Sequence, residues 1–171
     1  SQLLSQVIRK IRQQKKKTRI AREYIKPAYP VVSGTTEYTV LDIVHERGRG
    51  APHALVKIGE KEYHIMAAEG VAVGDVFQIG EQAELRTGNI TSLKNIPEGT
   101  AVNSVEKELN DGGFFALTAG SFCTIVNHRK ESNQTVIKMP SGVKRVVSSD
   151  LRAMVGISSS AGITDKPLLK A

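Results

Sequence analysis

The clearest chemistry on offer in this chain is neutralisation of phosphate by clustered lysine and arginine. The run V-I-K-M-P-S-G-V-K-R-V-V-S-S-D-L-R spans Val136 to Arg152. Val136, Ile137 and Met139 read as a short strand, and Pro140-Ser141-Gly142 as a turn, with Pro suited to its first corner and Gly to a left-handed one. Val143, Val146 and Val147 restart the β pattern, so Lys144 and Arg145 fall just past the turn. Two adjacent cations on a rigid hairpin tip can grip a phosphate backbone. An ordinary solvated hairpin is the alternative, and these residues do not separate the two. Arg47-Gly48-Arg49-Gly50 sets two cations on a flexible loop whose amides could also approach phosphate, although a merely solvated loop has the same composition. Lys166 and Lys170 flank Pro167 in an extended tail that could track a nucleic-acid groove.

Charge distribution favours the polyanion reading. Of a net +7 over 171 residues, residues 1–26 carry nine cations, Arg19 and Arg22 among them, against Glu23. Residues 27–137 carry nine cations and fourteen anions, and residues 138–171 six cations and two anions. Two basic ends around an acidic middle suggest a polyanionic partner whose binding weakens steeply with salt. Within 1–22, Leu4, Val7, Ile8 and Ile11 recur at roughly helical spacing. A basic arm that orders on RNA, a solvated helix or tail, and an organelle-targeting peptide all fit that stretch.

Other chemistry finds little support. The histidines His45, His53, His64 and His128 lie on different predicted elements, with no close-spaced pair of ligand type, so no metal site is expected. Cys123, the lone cysteine, sits between Phe122 and Thr124 in a predicted buried strand, and a packed core thiol fits better than a nucleophile. It also rules out an internal disulfide framework, which points to a reducing compartment. Gly70-Val71-Ala72-Val73-Gly74 lacks the Gly-Lys-Ser/Thr ending and the following helix of a phosphate loop. Neither catalytic residues nor a cofactor nor a small-molecule substrate is expected. No run approaches membrane-spanning length. The few Phe and Tyr are scattered and offer little sign of a base-stacking platform, so backbone and shape recognition is the expected mode.

The elements that must hold these residues are short strands. Pro27, Pro30 and Ser33-Gly34 mark a boundary after a basic arm. From Thr36 on, Tyr38, Val40 and Ile43 alternate, followed by Leu55–Ile58, Tyr63 with Ile65, and Val76 with Ile79. Gly-rich breaks separate them, and the stretch from Met66 to Val73 is expected to make one helical turn at most. A second set is expected at Ala101–Val105, Phe114–Leu117, Phe122–Val126, Thr135–Met139 and Lys144–Val147. The whole reads as all-β, with small barrels or a sandwich, and the second set suits a compact barrel of the SH3-like kind.

Several motifs in order then match one family. H-E-R-G-R-G-A-P-H-A-L-V (His45 to Val56), A-A-E-G-V-A-V-G-D (Ala67 to Asp75), Gly88-Asn89 with Ile96-Pro97-Glu98-Gly99-Thr100, and M-P-S-G-V-K-R (Met139 to Arg145) resemble large-subunit ribosomal protein two, the universal "L two" family. Ser148 to Ala153 and Asp165 to Ala171 resemble its eukaryotic and archaeal branch. The ordered match runs from about Thr36 to Ala171; residues 1–35 match loosely.

The resemblance implies an OB-fold domain followed by an SH3-like barrel, both packed on large-subunit rRNA beside neighbouring ribosomal proteins of the cytoplasmic ribosome. It also implies support for subunit association and for the region around the peptidyl-transferase centre. The expected division is a basic arm over 1–35, an OB-fold-like domain over 36–90, an SH3-like barrel over 91–160 and the start of a C-terminal extension over 161–171. Family members usually continue into a long basic extension, and the sequence in hand stops at its start. They also commonly carry an Arg where Leu117 stands in Ala116-Leu117-Thr118-Ala119-Gly120. The expected phosphate contacts are Arg19, Arg22, Arg47, Arg49, Lys144, Arg145, Arg152, Lys166 and Lys170. A soluble ribosome-binding translation factor built from the same barrels is the rival reading.

Overall fold

The computed structural model describes residues 5–7, 26–45 and 51–160. Among the described residues ten strands form the frame: β1 Thr36–Val44, β2 His53–Ile58, β3 Lys61–Met66, β4 Val76–Ile79, β5 Ile90–Ser92, β6 Ala101–Asn103, β7 Cys123–Arg129, β8 Gln134–Lys138, β9 Lys144–Ser148 and β10 Arg152–Val155. They run through one sheet in the order β3-β2-β1-β4-β5-β10-β6-β7-β8-β9. All the pairings are antiparallel except β4 with β5, a parallel contact at Ile79 and Ile90. The chain is all-β, as the strand pattern predicts, and is an OB-fold followed by an SH3-like barrel, as the family resemblance implies.

Period-two alternation sends one set of side chains from each strand inward. Tyr38 and Val40 of β1, Ala54 and Val56 of β2, Ile65 of β3, and Phe77 and Ile79 of β4 build a first core. Val102 of β6, Cys123 and Ile125 of β7, and Ile137 of β8 build a second, closed by Leu93, Ile96 and Leu151. Strand β10 runs between them. Its Met154 joins the first core, whereas Ala153 and Val155 on its other face join the second.

Two sequence expectations are corrected. Phe114–Leu117 is not a strand; only an isolated bridge joins Val105 to Phe115. Ala116 stands at φ 58°, a left-handed backbone that ends an extended run, and the Phe114 and Phe115 amides both donate to Val105 O at 2.9 Å. Conversely, β5 and β10 form where no strand was expected, because both are buried throughout and show no alternation. The stretch after Met66 forms turns, with Val71 N donating to Ala68 O at 3.3 Å and Ala72 N to Asp75 Oδ2 at 2.9 Å.

Residues 27–30 pack on the barrels. Ala28 N donates to His64 O at 2.8 Å and Tyr29 N to Gly112 O at 3.2 Å. This approach needs glycine at 112. A Cβ there would lie 2.7 Å from Ala28 Cβ, and the residue has φ 84°, which side-chain-bearing residues rarely adopt.

Candidate nucleic-acid interface

The hairpin predicted around Pro140 is present. Gly142 N donates to Met139 O and Met139 N to Val143 O, both at 2.8 Å, and Gly142 sits at φ 92°. This is a three-residue hairpin loop with glycine at its left-handed position. It fixes the register in which Lys138 faces Lys144 and Ile137 faces Arg145.

That register separates the two adjacent cations. Successive side chains on a strand point to opposite faces, so Lys144 stands on the outer face with Lys138. Arg145 lies on the inner face, at the barrel mouth. Its guanidinium carbon is 5.3 Å from the centre of the Phe115 ring. Phe115 meets Phe114 edge-on at 5.1 Å, and Lys107 Nζ is 4.9 Å from the Phe114 ring centre. The sequence reading found the aromatics scattered, whereas the fold gathers Phe114, Phe115, Lys107 and Arg145 into one cation–aromatic cluster. Sequence reasoning missed both Lys107 and Lys138; the first needs tertiary proximity to be seen, the second only a counted register.

Arg152 is a correction. Its place beside the hairpin in sequence made it a phosphate candidate, but the guanidinium turns inward. Nε donates to Glu106 Oε1 at 3.2 Å and Nη2 to Glu106 Oε2 at 3.1 Å. Nη1 donates to Pro30 O at 2.6 Å, and the group lies 4.8 Å from the Tyr29 ring centre. Glu106 is fully buried and also accepts from the backbone amides of Arg152, at 2.8 Å, and Gly112, at 2.9 Å. Three of the five N–H donors of Arg152 are taken within the fold and the side chain is only 11% exposed, which sets it apart from the exposed hairpin cations. Of the other expected contacts, Arg19, Arg22, Arg47, Arg49, Lys166 and Lys170 lie outside the described residues.

Comparison with known proteins decides the kinship. A family model described as "Ribosomal Proteins L2, C-terminal domain" matches residues 86–171. The chain is 48% identical over 168 residues to the large ribosomal subunit protein uL2 of Encephalitozoon cuniculi, covering 98% of this chain and 70% of that protein. The chain belongs to the uL2 family. It is also 43% identical to the uL2 protein of Archaeoglobus fulgidus over 77% of its length. To uL2A of Saccharomyces cerevisiae it is 41% identical, again over 77%. It spans 55% and 54% of those two relatives. Relatives of this kind give the translation-factor reading no support.

In this uL2-family chain the groups that might have done other chemistry have structural places. His128 Nε2 meets Ile96 O at 2.6 Å and Nδ1 meets Thr135 Oγ1 at 2.9 Å, while Thr135 is hydrogen-bonded to Ser149 Oγ at 2.7 Å. The imidazole therefore ties β7 to β8 and to the turn before β6. His53 and His64, expected on separate elements, stack edge to face at 4.9 Å on neighbouring strands. Among the described residues no three potential ligands converge on a metal position, and no helix is long and apolar enough to cross a membrane.

Cys123 is fully buried, and burial pushes its thiol pKa up to about 11. A thiolate is the reactive form, so Cys123 should resist Ellman's reagent at pH 8 in the native state and react promptly in urea; rapid native labelling would contradict its packing. The unfolded thiol ionises first as pH rises past about 8.5, while the folded one keeps its proton toward 11. Stability therefore falls with rising pH in that window, and Cys123→Ser should flatten the fall.

Proposed function

We propose that the chain serves as a structural, non-catalytic constituent of the large subunit of cytosolic ribosomes, binding and organising rRNA beside neighbouring ribosomal proteins. The observation that carries this reading is the 48% identity to a large-subunit protein along 98% of the chain. The separation of charge into two basic ends supports it. In this reading residues 1–35 are a basic arm, 36–90 an OB-fold-like domain, 91–160 an SH3-like barrel and 161–171 the start of an extension. Lys144 and Arg145, together with Arg19, Arg22, Arg47, Arg49, Lys166 and Lys170, neutralise phosphates, while amides of the Gly-containing loops fix register on the RNA. Any chemistry belongs to the RNA. Support for subunit association and for the region around the peptidyl-transferase centre follows from the same placement.

Sedimentation of a ribosome extract on a high-salt gradient tests the proposal. An integral rRNA-binding constituent stays with the large subunit in one-to-one amount after the wash. Its complete release into the soluble fraction would instead mark a reversible factor.

A further inference from the structure

A cleft of about 420 Å³ opens between the loop Gly120–Phe122 and the β8–β9 turn, lined also by Thr124, Lys138 and Pro140. Its volume lies in the range, about 300–1,000 Å³, of sites that accept small-molecule-sized groups. Two features give it a chemistry. On one side Phe122, 41% exposed, shares the lining with Met139 and Pro140, which gives that wall an apolar face. On the other, Thr124 and Lys138 line the cleft, and the row they form, Thr124 opposite Lys138 and Lys138 opposite Lys144, continues across β7, β8 and β9 to Lys144 beyond the cleft wall. Like charges directly opposite across a strand pair are destabilising, and no carboxylate among the described residues pairs with either lysine. An anion between them would convert that repulsion into two charge-assisted contacts.

We propose that this cleft receives a single unstacked nucleotide of RNA, its base against Phe122 and its phosphate between Lys138 and Lys144. The inference rests on the rRNA-binding reading and adds a base-holding site to it. Charge complementarity argues for a nucleotide over an apolar peptide, because the apolar wall adjoins Lys138, which together with Lys144 opposite it has no carboxylate partner among the described residues. An aromatic face accepts any base, so the site selects an unstacked conformation in preference to a sequence.

The test uses the full chain and in-vitro transcribed large-subunit rRNA, with binding measured across a salt series and contacts mapped by zero-length ultraviolet cross-linking and mass spectrometry. The expected result is a nucleotide adduct on Phe122 or an adjoining cleft residue. Phe122→Ala should weaken binding about tenfold with an unchanged salt slope, and Phe122→Trp should restore it. Lys138→Ala with Lys144→Ala should instead lower the slope by about one, as for a single phosphate. All these positions are exposed, and unchanged thermal unfolding of each variant verifies its fold. Binding by wild type with no adduct in the cleft and no loss in Phe122→Ala would overturn the nucleotide site while leaving rRNA binding intact. Absence of wild-type binding would overturn both.

Discussion

Glu106→Ala is expected to destabilise the fold by about 3–5 kcal/mol, the cost of leaving a buried cation without its partner. The carboxylate is fully buried and accepts four hydrogen bonds, from Arg152 N, Arg152 Nε, Arg152 Nη2 and Gly112 N. Removing it strands the Arg152 guanidinium in the interior with only Pro30 O and the Tyr29 ring for company. It also orphans two backbone amides. Glu106→Gln keeps the volume but turns an NH₂ group toward donors, so it should recover only part of the loss. Urea unfolding monitored by far-ultraviolet circular dichroism measures the effect. A shift of less than about 1 kcal/mol in Glu106→Ala would mean that the pair is solvated in solution. By contrast, replacing both charges with apolar residues should cost less than removing either one, although the amides bound to Glu106 still limit the recovery.

The second large effect is expected at Tyr29, which ties the segment before β1 to both cores. Tyr29 is buried, and its hydroxyl shares its one proton between Ser104 O at 2.6 Å and Arg152 O at 3.0 Å. Burial first, and then the nearby Glu106 charge, hold its pKa well above the ordinary value, so it remains a donor throughout the working range. Tyr29→Ala removes a packed ring and should cost about 3–5 kcal/mol, in line with other large aromatic truncations. Tyr29→Phe keeps the ring and loses only the hydroxyl, for about 1–2 kcal/mol. Because Tyr29 and Glu106 both hold Arg152, the double mutant should be less destabilised than the sum of the singles, by about 0.5–3 kcal/mol. Additive losses would show that the two act independently.

This network also bears on recognition. Arg152 follows the basic hairpin in sequence and carries the charge a phosphate contact needs, yet its side chain is consumed in holding residues 27–30 and the loop 104–113 against β10. The hairpin cations Lys144 and Arg145 stay exposed, and the strand register assigns them to two surfaces. Lys144 stands opposite Lys138 on the outer face, and Arg145 beside the aromatic cluster at the barrel mouth. Cations that read as one tip in sequence stand on two faces of the same strand.

Much of the frame was legible in the residues themselves. Alternation is a local signal, so Tyr38 with Val40, Tyr63 with Ile65, and Thr135 to Met139 marked strands directly. Pro140 and Gly142 likewise announced their turn, because the backbone angles they favour are intrinsic to each residue. The burial of Cys123 followed from its apolar strand. The ordered motifs from His45 to Arg145 carried the kinship, since they record residue identity without reference to partners. Strands β5 and β10 were invisible for the opposite reason: between two cores there is no solvent face, hence no alternation to read. The partner of Arg152 lies 46 positions away at Glu106, and no local rule connects them. The same holds for the cluster of Lys107, Phe114, Phe115 and Arg145 and for the cleft beside Phe122. Charge and composition established that the chain is basic at both ends and built of strands. Which cations face outward is a matter of long-range pairing, because only the folded register determines which of them a buried carboxylate can reach.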